Sequence, residues 1–140
     1  MGRTFSNGKY IYSVDMMFSY INNFKPRVWI IPIPTFNLYD KVWGDYSPYD
    51  VITNPSKHTK ELERVRLTDL MQPIIVHGDE IVDGWHRLLK ALSQQKRFML
   101  CYDFDQDLMS KFIIGYIEEQ EKVDKMEHWE FIDLFIKRFS

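Results

Sequence analysis

Residues 80 to 92, EIVDGWHRLLKAL, set an acid, a glycine, an indole, an imidazole and a guanidinium in consecutive positions ahead of an aliphatic run at helical spacing. A helix start of that composition can bind an anion. The first backbone N–H groups of a helix lack intrahelical partners, and its dipole is positive there. Gly84 would let a phosphate approach the backbone closely. His86 and Arg87 add donors, and a guanidinium can grip two phosphate oxygens at once. Asp83 admits two roles. As an N-cap, its carboxylate accepts an N–H of the first helical turn. Beside a phosphate, it would instead hold a divalent metal or an acceptor hydroxyl. Spacing alone leaves a purely structural description open, with Trp85 in the core and His86 and Arg87 on a solvated face.

A second group lies upstream. In NPSKHTKELERVR, residues 54 to 66, Lys57, Lys60 and Arg64 fall on one helical stripe at intervals of three and four. They could face an anion, or form a solvated face balanced by Glu61 and Glu63. Other chemistry-bearing residues read as structural. His58, His77 and His128 are scattered, with His77 exposed in a turn. Asp103, Asp105 and Asp107 alternate, but without the glycine and distal glutamate of a calcium loop, so they end a strand and cap a helix. Glu118 and Glu119 read as surface, and Cys101 as an inert thiol buried in a strand.

The elements that must position these groups follow from pattern. Ser13 caps a helix over Val14 to Asn23, which Pro26 ends. Arg27 to Pro34 is apolar and β-branched, but its two prolines confine it to a sheet edge. Residues 37 to 55 form a long loop with one helical turn near Tyr49 to Thr53. Ser56 to Leu70 is a polar helix. Pro73 to Val76 and Glu80 to Asp83 make a hairpin turning at His77-Gly78-Asp79, and a helix follows from Gly84 to Ser93. Phe98 to Phe104 is another strand. Amphipathic helices over Gln106 to Glu121 and Lys125 to Phe139 close the order. The expectation is an α+β fold: one domain over 1–140, with a core at 54–104, a small mixed sheet and a helical extension at 105–140.

Composition bounds the function. The chain has 140 residues, and 45% of them are hydrophobic, enough for a proper core. Eighteen basic residues against twenty acidic ones make a poor footprint for general nucleic-acid binding. One cysteine allows no internal disulfide, and no Cys/His cluster has zinc spacing. The N-terminal residues lack a signal-peptide core, and no apolar run approaches a membrane span. A cytoplasmic protein with no membrane partner is expected. Met126, Trp129, Ile132, Phe135, Ile136 and Phe139 form a wide apolar stripe that could serve a homodimer.

PIIV and EIVDGWHRLLKAL, preceded by a helix and followed by a strand, resemble the core of the ParB/sulfiredoxin-like superfamily across residues 54 to 104. The resemblance implies that fold, with nucleotide phosphates held by the motif glycine and its His/Arg side chains. The matching positions are Gly84, His86 and Arg87. Asn54-Pro55-Ser56-Lys57 resembles the family's Asp-Pro-x-Lys helix start, and implies that Lys57 reaches the nucleotide. The D-G-x-x-R form is similar to ParB-fold serine kinases, which implies a catalytic Asp83 beside Mg²⁺ and the phosphates. The implied ligand is ATP or ADP, with CTP as the other candidate, and the implied reaction is phosphoryl transfer. Asp40, Asp45 and Asp50 are general-base candidates by location alone. The alternatives are a non-catalytic module switched by nucleotide or recruiting a partner, and, more weakly, a nuclease.

Two departures narrow the resemblance. Segregation-type ParB proteins carry G-E-R-R and a helix-turn-helix domain, where this chain has G-W-H-R and two aromatic-rich helices. Sulfiredoxins carry their reactive cysteine where this chain has Trp85. A reactive thiolate also needs a pocket that lowers its pKa and an acceptor at hand. Trp85→Cys is therefore predicted to leave the protein unable to reduce a sulfinic acid; reduction by that variant, in a peroxiredoxin-coupled assay, would refute this.

Overall fold

The computed structural model describes residues 2–140. Its fold is mixed α and β, with two compact units, Met1–Pro26 with Asp105–Ser140 and Arg27–Phe104. The chain leaves the second unit after Phe104.

In the first unit, β1 (Thr4–Ser6) and β2 (Tyr10–Ser13) form a hairpin whose turn is held by Asn7, its amide oxygen accepting from the Tyr10 N–H at 3.1 Å. Helix α1 (Val14–Phe24) starts directly after β2. Ser13 caps it as expected, with Oγ accepting from the Met16 N–H at 3.1 Å, and Lys25 in the left-handed region ends it before Pro26.

The second unit begins with β3 (Trp29–Pro32), α2 (Pro48–Thr53) and α3 (Thr59–Leu67). It continues with β4 (Ile74–His77), β5 (Glu80–Asp83), α4 (Trp85–Ser93) and β6 (Phe98–Asp103). Its sheet runs β3-β6-β4-β5, with β4 and β6 parallel and the other pairs antiparallel. The proline-bearing β3 lies at the edge, where a missing N–H costs no ladder bond. Helix α4 links β5 to β6. The helix expected from Ser56 is shorter than its polar pattern. Pro55–Lys57 is a separate 3-10 turn, and His58 at φ −132° separates it from α3.

The chain then returns to the first unit with α5 (Gln106–Ser110), β7 (Ile113–Tyr116), α6 (Gln120–Asp124) and α7 (His128–Phe139). The helix expected over 106–121 is thus replaced by two five-residue helices around a strand. Consecutive isoleucines at 113 and 114 favour extended backbone, and β7 pairs with β2 to complete a sheet ordered β1-β2-β7. Only the last of the two expected terminal helices, α7, is one continuous helix. Asp105 caps α5 as its pattern suggested, accepting from the Leu108 N–H at 2.8 Å.

The core of the second unit explains where the candidate site must lie. Ile74 and Val76 of β4, Ile81 of β5 and Met99 and Cys101 of β6 alternate onto one sheet face, against Trp85, Leu88 and Ala91 of α4. Leu89, Val51 and Val65 join α4, α2 and α3 in a smaller cluster. Leu88 and Leu89 are fully buried, each worth about 1.5–3 kcal/mol of transfer free energy.

The strand-to-helix junction leaves no room for a side chain. Gly84 has φ +115°, and a Cβ there would sit 2.7 Å from Ile74 Cβ. Gly78 in the hairpin turn has φ +60° with open space around it. Gly78→Ala is therefore expected to cost only the conformational penalty, about 1–2 kcal/mol. Gly84→Ala adds a clash with buried β-branched core, and is expected to cost clearly more, read as the larger drop in urea midpoint. Equal losses would show that Ile74 yields freely.

Candidate functional site

The site is built on the start of α4. β5 ends at Asp83, which pairs with Ile75 in the ladder, and Gly84 occupies the N-cap position. Asp83 is thus the last strand residue rather than the residue at the cap, because the chain turns at Gly84, where only glycine fits. The first intrahelical bond runs from the Leu88 N–H to the Gly84 carbonyl at 3.0 Å. The N–H groups of Trp85, His86 and Arg87 therefore have no carbonyl within the helix to bond.

Three consecutive side chains leave this turn in different environments. Trp85 is 8% exposed and packs in the core, yet its indole Nε1 has no hydrogen-bond partner among the described residues. Arg87 donates through Nη2 to Gln72 Oε1 at 3.3 Å, while its buried Nε finds no partner. His86 is tied instead to α3, with Nε2 2.6 Å from Glu61 Oε2. Trp43, from the long loop, stacks on the imidazole with ring centroids 5.2 Å apart and planes at 25°. Trp43 is placed by Tyr46, through a backbone bridge and an edge-on ring contact, and Tyr46 in turn lies against His58 at 4.1 Å.

Glu61 and Trp43 were not singled out as site residues by sequence reasoning. Glu61 read as one of two acids balancing a basic stripe, and its partner lies 25 residues away, so only the packing of α3 on α4 reveals it. A signal for Trp43 exists in the aromatic density of residues 36 to 49, a run a solvated loop does not need. Arg64 lies 3.5 Å from Glu61, its neighbour on α3, so that carboxylate has a cation on one side and the imidazole on the other.

The remaining candidates separate. Lys57 lies on the exposed 3-10 turn before α3, without a side-chain hydrogen bond or ion pair among the described residues; it does not share a continuous helix with Lys60 and Arg64. Of the acids expected in the loop, Asp40 accepts from the Asn37 side chain at 2.7 Å within the loop, and Asp50, which lies in α2, accepts from Asn54 at that helix's end at 3.4 Å. His77 is not the freely exposed turn residue expected: it ends β4 half-buried, with Nδ1 2.7 Å from the Phe104 carbonyl. Lys90 closes the α3 end of the interface by donating to the Arg66 and Thr68 carbonyls at 2.9 and 2.7 Å, satisfying groups at a helix C-terminus.

Whether a metal fits is decided by the donors available. Among the described residues no group of three His, Cys, Asp or Glu side chains is placed to hold an ion. Magnesium does not need one, since it is commonly held by one or two carboxylates, with substrate phosphates and water completing its shell. Asp83 could supply one carboxylate to such an ion. No helix among the described residues is long and apolar enough to cross a membrane. Comparison with protein-family models, curated protein sequences and solved structures yields no match.

Cys101 stands apart from the site. It is fully buried in β6, and burial, with Asp103 nearby as a smaller contribution, pushes its thiol up to about 12. The folded protein is expected to resist thiol reagents at pH 8 until it is denatured. Above pH 9, the unfolded chain loses this proton before the folded one, so stability falls towards pH 12. Cys101→Val should show a shallower alkaline decline than the native chain; identical slopes would mean that the folded thiol ionises normally.

Proposed function

We propose that this chain is a nucleotide-binding protein of ParB/sulfiredoxin-like fold that transfers a phosphoryl group from ATP or ADP. The observation that carries this reading is the start of α4, where a glycine-only turn leads into a helix whose first turn holds two buried donors, Trp85 Nε1 and Arg87 Nε, without protein partners. Buried donors are normally satisfied, and one left open costs about 1–3 kcal/mol. The open N–H groups of the first turn, with the remaining guanidinium donors of Arg87 beside them, suit an anion. The connection of hairpin, Gly84 turn, α4 and parallel strand β6 supports the likeness of fold.

In this reading Gly84 and the first N–H groups of α4 approach the phosphates, Arg87 grips them, and Lys57 adds a positive charge from the neighbouring turn. Asp83 holds Mg²⁺, which when bound would neutralise charge on the transferred group. Catalysis would rest on position and charge stabilisation, as phosphoryl transfer requires. CTP is the competing nucleotide.

A second reading has one observation in its favour. Trp129, Ile132 and Ile136 are exposed along a single stripe of α7, with acids in its first half and Lys137 and Arg138 in its last turn. Two copies packed through that stripe would bury it, making the chain a nucleotide-switched or partner-recruiting module.

Titration of ATP, ADP and CTP with and without Mg²⁺, followed by product analysis, separates the two. Turnover is expected, and binding without turnover would favour the module. Arg87→Ala is expected to weaken nucleotide binding by roughly 10- to 100-fold with the fold retained, the value of a charge-assisted contact. Asp83→Asn is expected to abolish the magnesium dependence. Unchanged affinity in folded Arg87→Ala would refute the phosphate clamp, and an intact magnesium effect in Asp83→Asn would remove that residue from the metal.

A further inference from the structure

Glu61 and His86 form a pair whose chemistry differs from a phosphate clamp. A carboxylate only accepts hydrogen bonds, so at 2.6 Å the hydrogen between them belongs to Nε2 of the imidazole. In the neutral ring the lone pair is then on Nδ1, which makes no hydrogen bond among the described residues. The ring cannot swing freely, since Trp43 stacks on it and its backbone lies in the first turn of α4. The His86 side chain remains 33% exposed and Glu61 21%, so solvent can reach the imidazole while the pair itself is half-shielded. A carboxylate that fixes the tautomer of an imidazole and stabilises its protonated form is the arrangement that makes histidine an effective base.

We propose that Glu61 and His86 are the general base that phosphoryl transfer at this site requires, with Nδ1 of His86 the catalytic atom, Glu61 a positioning residue, and water the acceptor. This rests on the nucleotide-binding reading above. The water oxygen forms a bond to the terminal phosphorus of a nucleoside triphosphate while its proton passes to Nδ1. The bond from phosphorus to the bridging oxygen breaks, and its electron pair leaves with the nucleoside diphosphate. Glu61 stabilises the resulting imidazolium, which later returns the proton to solvent. The reaction is hydrolysis of a nucleoside triphosphate to the diphosphate and inorganic phosphate. None of the loop acids is needed as a base.

The test uses the full chain with ATP and Mg²⁺ and reads binding, phosphate release and the imidazole tautomer separately. ¹⁵N–¹H correlation spectra of the histidine rings should show His86 protonated at Nε2 and bare at Nδ1. His86→Ala should keep ATP affinity within about threefold and lose roughly 100-fold or more in hydrolysis, the usual range for general-base removal. Added imidazole should restore part of that rate, which repair of a structural defect would not do. Glu61→Gln should keep the fold and lower the rate by about tenfold. If His86→Ala fails to fold, His86→Gln carries the same comparison. Native protein that binds ATP but hydrolyses none, hydrolysis indifferent to both substitutions, or a ring protonated at Nδ1 alone would overturn the dyad and leave the binding reading standing. Absence of ATP binding by the native chain would overturn the binding reading, and the hydrolysis with it.

Discussion

The second unit depends on the space that Ile74 occupies beside residue 84. With Ile74 almost fully buried on β4 and a Cβ at 84 excluded, the chain can leave β5 only through a glycine at φ +115°. That turn sets where α4 begins and which of its residues face the sheet. Trp85 and Leu88 enter the core, which leaves His86 and Arg87, the residues between them, towards α3 and Gln72. The same constraint complicates the meaning of the glycine. Gly84 is required by packing whether or not a phosphate ever approaches it, so its presence is no evidence of a ligand. A ligand would be recognised by the groups the turn displays.

Helix α3 has little apolar surface of its own, with Val65 its one buried side chain. Three polar ties to α4 compensate. Glu61 meets His86, and Lys90 donates to two carbonyls at the far end of α3. These ties run between backbone or half-buried groups, where a hydrogen bond to a charged group is worth about 1.5–3 kcal/mol. The interface is therefore held at both ends by charge and in the middle by Val51, Val65 and Leu89. A helix held in this way orients its side chains more sharply than a greasy contact would, since hydrogen bonds are directional. The placement of Glu61 on the imidazole is one consequence.

Local signals were legible and distant ones were not. Ser13 announced α1, two prolines put β3 at an edge, and the hairpin and α4 followed from alternation and a helical apolar stripe. Those features depend on neighbours within a few residues. The strand β7 was missed because its partner is far away in sequence, with Tyr10 opposite Tyr116, whereas β1 and β2 form a local hairpin whose three- and four-residue strands are too short to show a pattern. Ile113 and Ile114 extended an apparent helical stripe, and only pairing with β2 decides between strand and helix. At the site, Gly84, His86 and Arg87 stood out as an unusual cluster, whereas Glu61 looked like ordinary surface. Nothing in a single sequence distinguishes an acid facing water from one facing an imidazole 25 residues later.

The donor inventory at α4 divides the labour between neighbouring residues. His86 has spent Nε2 on Glu61, so its remaining nitrogen in the neutral ring can accept a proton but not donate one to a phosphate. Arg87 has used one amino group on Gln72 and keeps donors in reserve, including a buried Nε. Trp85, which can only donate, likewise holds an unused N–H in the core. In the proposed reading, anion contacts fall to the guanidinium amino groups and the backbone, and proton transfer to the imidazole. Adjacent residues with opposite hydrogen-bonding capacity suit a reaction in which a charged group is held while a neighbouring oxygen is deprotonated.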